Sequence, residues 1–126
     1  PARVGVLVET AHSILAGLDP ADDMGYALAH DKLWSVHLND QSGLKFDQDK
    51  TFGSYNLRRA FNQVRVLEEY GYGRKGECVG LDVQMMRTQK AEGTSGVQPR
   101  TVPLLARESR HLGPRYRSPA HQRPRL

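Results

Sequence analysis

The chain has 126 residues, a formal charge of +4, 38% hydrophobic residues and a single cysteine. That length suits one domain or part of one. The lone Cys78 excludes a disulfide within the chain, and no apolar run approaches the roughly 20 residues of a membrane helix. Neither a membrane partner nor a signal segment is expected, and the cytoplasm is the expected compartment. The charge is unevenly placed: residues 1–92 carry 11 Lys and Arg against 13 Asp and Glu, giving −2, and residues 93–126 carry 7 Arg and one Glu, giving +6. The basic balance therefore belongs to the tail, and the mildly acidic body gives no reason to expect a nucleic-acid partner.

Residues 3–8 form a short, β-branched, almost uninterrupted apolar run, the pattern of a parallel strand buried on both faces, with Glu9 at its carboxyl end and His12 three residues on. Asp19 can cap a helix that Pro20 opens at its first position and that runs to about His30. A second strand, residues 33–36, ends at His37, with Trp34 expected in the core. Residues 40–55 are a polar loop holding Asp47 and Asp49, too long for a mere connector and so read as functional.

The clearest helix follows. Leu57, Phe61, Val64 and Leu67 lie on one stripe, Arg58, Arg59, Arg65, Glu68 and Glu69 occupy other faces, Asn56 is the cap and the run from Tyr70 to Gly73 the stop. A third strand, residues 77–83, carries Asp82 near its end and makes Cys78 a buried, inert thiol. His30, His111 and His121 have no supporting context and read as surface residues.

Strands alternating with helices predict an α/β unit in which residues 4–8, 33–37 and 78–82 are neighbouring parallel strands. Right-handed crossovers place the helices near 20–30 and 56–70 on one face of the sheet. Carboxylate and imidazole groups then converge at successive strand ends. A lone histidine beside an apolar run is ordinarily structural, and an isolated D-Q-D is ordinarily a solvated turn. Glu9, His12, His37, Asp47, Asp49 and Asp82 in this order read together as a binuclear divalent-metal site. Oxygen donors with one or two imidazoles and no thiolate suit Mn²⁺ or Mg²⁺, with Co²⁺ as a further fit. Lys45 beside the loop and Arg87 after the third strand read as electrostatic support.

Past Glu92 the pattern breaks. Five of the seven prolines and no lysine fall in residues 93–126, and neither helical nor strand periodicity survives beyond Leu105. This irregular segment reads as disordered or as translation in a shifted frame. An anionic-surface or RNA-binding arm is the functional rival.

Residues 4–17, 37–53 and 80–88, with E-T-A-H, H-L-N-D-Q, K-F-D-Q-D and L-D-V followed by M-R-T, resemble the sugar isomerases of the xylose isomerase-like TIM-barrel superfamily, in particular its L-rhamnose isomerase group. The resemblance covers roughly residues 3–92. It implies that residues 1–92 are the C-terminal part of a partial (β/α)8 barrel, about its last three strands with their helices, and that 93–126 are an irregular appendix. A whole barrel takes about 250 residues, so the chain is expected to be incomplete and inactive alone.

The resemblance further implies two metal ions per site, Mn²⁺, Co²⁺ or Mg²⁺, bridged by Glu9. The structural ion would take Glu9, His37 and Asp82. The catalytic ion would take His12, Asp47 and Asp49. Xylose isomerases proper carry aspartate where this chain has His37, which favours the rhamnose group. The implied reaction is aldose–ketose interconversion of a small sugar by a homotetramer. A metal-dependent phosphodiesterase of the endonuclease-like barrels and a non-catalytic remnant are the alternatives.

Overall fold

The computed structural model describes residues 3–84 and Arg107; the tail and Arg87 lie outside the described residues, apart from Arg107. Six elements follow in order: β1 (Val6–Glu9), α1 (Thr10–Leu15), α2 (Pro20–Ala29), β2 (Leu33–Leu38), α3 (Leu57–Tyr70) and β3 (Cys78–Leu81). The strands form one sheet in the order β1-β2-β3, parallel at both junctions.

The helix boundaries follow local chemistry. The Asp19 carboxylate accepts from the Ala21 amide, and Pro20, which lacks an N–H, occupies the first turn of α2 where none is needed. Asn56 caps α3 by accepting from the Arg59 amide at 3.0 Å. Gly71, at φ 67°, ends α3 in the left-handed conformation that glycine adopts without steric cost. Arg65 and Glu69, one turn apart on α3, pair at 2.8 Å.

Met24 and Ala27 of α2 and Ala60, Val64 and Leu67 of α3 share one core with Val8, Leu33, Val36, Leu38 and Phe52. Both helices therefore cover the same face of the sheet, as right-handed crossovers require. The buried stripe of α3 is Ala60, Gln63, Val64 and Leu67. Leu57, expected on that stripe, is 59% exposed at the first position of the helix, and the buried stripe begins at Ala60.

Three further expectations are corrected. The first strand is not buried on both faces: Val4, Val6 and Leu7 are exposed and only Val8 and Glu9 are buried, since α2 and α3 cover a single face of the sheet. Trp34 is not a core residue. The β1–β2 register pairs Val6 with Leu33 and then Leu7 with Ser35, so Trp34 is skipped. This irregularity re-phases the alternation, sending both Leu33 and Val36 into the core and turning Trp34 outward to 52% exposure, its ring over Gly5. Cys78, at the start of the edge strand β3, is exposed rather than buried.

The core makes a plain prediction. Leu38→Ala removes a fully buried side chain and is expected to lower unfolding free energy by about 2–5 kcal/mol. Leu57→Ala should stay within about 0.5 kcal/mol. Urea denaturation of the two variants against the parent chain measures both.

Candidate metal centre

The sheet register aligns the site. Glu9 of β1 lies opposite His37 of β2, which lies opposite Gly80 of β3, so a carboxylate, an imidazole and a residue without a side chain form one row at the carboxyl ends of the strands. Asp82 follows one residue beyond β3. His37 Nδ1 lies 2.8 Å from Glu9 Oε2 and 3.7 Å from Asp82 Oδ2. Glu9, His37 and Asp82 each offer a ligand atom, all within 4.8 Å of one another.

Among the described residues only Glu9, His37 and Asp82 converge this closely; the other expected ligands, His12 of α1 and Asp47 and Asp49 of the loop after β2, lie nearby without meeting at one point. His12 Nε2 meets Asp47 Oδ2 at 2.8 Å on the exposed rim. Asp49 reaches inward, with its backbone in the left-handed region at φ 40°. The two groups are joined through Asn39, a fully buried residue whose Nδ2 donates to Glu9 Oε1 and, at 2.7 Å, to Asp49 Oδ1.

This loop is irregular but internally satisfied. Asp40 and Lys50 exchange backbone hydrogen bonds as an isolated antiparallel bridge. The Asp40 carboxylate accepts from the amides of Gln41, Tyr55 and Asn56. Buried Gln41 donates to the carbonyls of Gly43 and Phe46 and accepts from the Gln48 amide. The Gln84 amide donates to the Asp49 carbonyl at 2.9 Å, tying the loop to the end of β3.

Electrostatically the cluster is short of positive charge. Burial raises the Glu9 carboxyl above its usual range, with Asp82 adding to the rise and the Asn39 amide and His37 opposing it. Burial also raises Asp49, and the neighbouring Asp47 raises it further. Four carboxylates thus share two imidazoles. Lys45, expected to pair with the loop carboxylates, is exposed and makes no ion pair with Asp47 or Asp49 among the described residues. Lys50 points instead to Ser42 Oγ at 2.6 Å and sits over the Tyr55 ring. A donor set of carboxylates and imidazoles with uncompensated negative charge fits a hard divalent cation.

A cavity of about 650 Å³ runs along β1 and α2. It meets the cluster at Glu9 and His12 but is not lined by His37, Asp47, Asp49 or Asp82, so it lies beside the converging ligands.

In the sequence Asn39, Asp40 and Gln41 stand only as part of the H-L-N-D-Q motif, with no role of their own, and Gly80 has none. The first three are consecutive polar residues directly after a buried strand, the one signal that could have marked them for internal hydrogen bonding. Gly80 matters for space. A Cβ there would fall 2.8 Å from His37 Cδ2, so only glycine lets the imidazole lie over β3.

Two outcomes follow from this geometry. Gly80→Ala should push the His37 ring from its place between Glu9 and Asp82 and weaken Mn²⁺ binding by about 10-fold or more, as measured by calorimetric titration. Cation binding requires Glu9 as the carboxylate, and burial has raised its pKa. Apparent Mn²⁺ affinity should therefore be fully developed above that raised range and fall as pH drops through it, at a higher pH than an ordinary glutamate would give. Titrations at a series of pH values locate the fall.

No protein-family model matches the chain. It is 41% identical over 93 residues, 74% of its own length, to a xylose isomerase of Thermus thermophilus. It is 40% identical over the same share to a xylose isomerase of Thermus caldophilus, and 44% identical over 72 residues to one of Streptomyces lividans. The chain covers 23% of each of the Thermus proteins and 18% of the Streptomyces one, so it spans under a quarter of the length of these relatives. At 40–44% identity over part of each chain, these similarities support a place for it in the xylose isomerase-like superfamily.

Proposed function

We propose that this chain carries the metal-binding strand ends of a divalent-metal-dependent aldose–ketose isomerase with a TIM-barrel architecture. The observation that carries the reading is the convergence of Glu9, His37 and Asp82 on one point at the strand ends. The xylose isomerase relatives support it. A parallel sheet with both helices on one face is the local form a barrel segment takes.

Bound there, divalent cations would supply Lewis acidity toward the oxygens of a sugar carbonyl and its neighbouring carbon. The chain's own residues hold and orient. Glu9, His37 and Asp82 form the inner subsite. His12, Asp47 and Asp49 form the outer one, where Asp47 orients the His12 imidazole through Nε2 at 2.8 Å on the exposed rim. Glu9 lies between the two, its Oε2 toward His37 and its Oε1 toward Asn39, which also holds Asp49.

In substrate, His37 in place of the aspartate of xylose isomerases proper favours an L-rhamnose-type aldose. The names of the relatives favour xylose. The complete enzyme is proposed as a cytoplasmic homo-oligomer acting on a free small sugar.

The test transplants the matched segment, because the chain spans so little of its relatives. A chimera in which it replaces the corresponding 93 residues of the Thermus thermophilus protein is incubated with Mn²⁺ and either L-rhamnose or D-xylose, and ketose is followed. Ketose formation is expected, with Glu9→Gln lowering it by more than about 100-fold, the upper range for supporting groups around a metal. A folded chimera that forms no ketose from either sugar overturns the reading, and phosphodiester cleavage in its place moves the assignment to the endonuclease-like barrels.

A further inference from the structure

We infer that Asn39 is a positioning residue that locks the two cation subsites into a fixed relation, so that both depend on one buried amide. The inference rests on the cation-binding reading above and deepens it.

Asn39 is 0% exposed. Its Oδ1 accepts from the Ala11 amide at 2.8 Å, and because a backbone N–H can only donate, that contact fixes which end of the side-chain amide faces which way. Nδ2 is therefore the end that meets the carboxylates. It has two hydrogens, and it lies against Glu9 Oε1 of the inner subsite and Asp49 Oδ1 of the outer one. Every donor and acceptor of the side chain is accounted for, with the oxygen anchored on the first turn of α1 (Thr10–Leu15).

The consequence is geometric. Glu9 and Asp49 come from positions 40 residues apart in sequence, one on a strand end and one on a loop in left-handed backbone. A single planar amide bonded to both removes their freedom to separate when both are ionised. A neutral donor does this without adding charge of its own. A lysine or arginine in the same place would hold the carboxylates equally well and repel the cations they are to bind.

The experiment is a calorimetric titration of Mn²⁺ into the 126-residue chain and its Asn39→Ala and His37→Ala variants. In the parent chain Mn²⁺ uptake is expected at both subsites. Asn39→Ala should weaken both by about 10–100-fold, the range found for outer-shell partners of metal ligands. His37→Ala should weaken the inner subsite alone. An Asn39→Ala chain that is folded by circular dichroism and binds as the parent does overturns the inference and leaves the cation reading standing. A parent chain that takes up no Mn²⁺ overturns both.

Should Asn39→Ala fail to fold, nuclear magnetic resonance of the parent chain decides. The two Asn39 side-chain amide protons are expected to exchange slowly with solvent and both to shift on addition of Mg²⁺. Protons that exchange at the solvent rate, or that ignore Mg²⁺ while the Glu9 and Asp49 signals move, overturn the inference.

Discussion

The parallel register of three strand ends is the constraint on which the rest of this structure depends. Glu9, His37 and Gly80 are partners in adjacent ladders, and side chains in one row across a parallel sheet point to the same side. Two side chains far apart in sequence are thus set side by side by backbone hydrogen bonds alone, and Gly80 leaves room for the imidazole and for Asp82, one residue beyond β3, to join them. A shift of one residue in the β1–β2 ladder would put Glu9 and the imidazole on opposite faces of the sheet. The irregularity at Trp34 belongs to the same constraint. By skipping one residue early in β2, the ladder brings Val36 and Leu38 under the helices and leaves His37 beside Glu9.

Below that row the core fixes the strands and above it the loop fixes the ligands, and the two use different chemistry. The core is an apolar cluster in which α2 and α3 clamp the sheet. The loop between β2 and α3 contains no regular element, yet Asn39, Asp40 and Gln41 are all buried within it. Burial of three polar side chains would be unfavourable without partners. Here each is bonded to backbone amides or carbonyls, or to a second side chain, so the amides and carboxylate replace the secondary structure the loop lacks. Thr10 extends the scheme, donating to Gln63 Oε1 at 2.8 Å and so joining α1 to α3 beneath the site. A loop braced in this way can present Asp47 and Asp49 from an irregular backbone without being soft.

Much of this was legible in the sequence. Strand order, the helix spans and the caps at Asp19 and Asn56 follow from apolar periodicity and a few residues with strong local preferences, and such signals do not depend on distant contacts. Glu9, His37 and Asp82 were legible as strand-end positions for the same reason. What escaped was tertiary. The helix at Thr10–Leu15 starts directly from a strand end, and Glu9 at its N-cap makes no side-chain cap bond, so no sequence signal announces it. The outward turn of Trp34 comes from a slipped ladder, and periodicity cannot show a slip. The exposure of Cys78 and of Val6 and Leu7 comes from what does and does not pack on the sheet, which a strand's own sequence does not record. Asn39 is the instructive case: its amide carries no charge, and its role exists only in contacts to residues 28, 30 and 10 positions away.

The cluster also carries an electrostatic cost. Glu9 and Asp49 are both raised above their ordinary range, so holding them as carboxylates in the folded chain costs free energy that the open chain does not bear. The compensation by neighbouring protein groups is partial: two imidazoles and one neutral amide face four carboxylates. A protein built for stability alone would place a lysine or arginine among them, whereas exposed Lys45 makes no ion pair with Asp47 or Asp49 among the described residues and Lys50 is bonded to Ser42. Ligand binding to the folded state alone adds directly to its stability. A divalent cation bound among these carboxylates would therefore add to the stability of the folded chain, and the buried amide of Asn39 already holds Glu9 and Asp49 to one another.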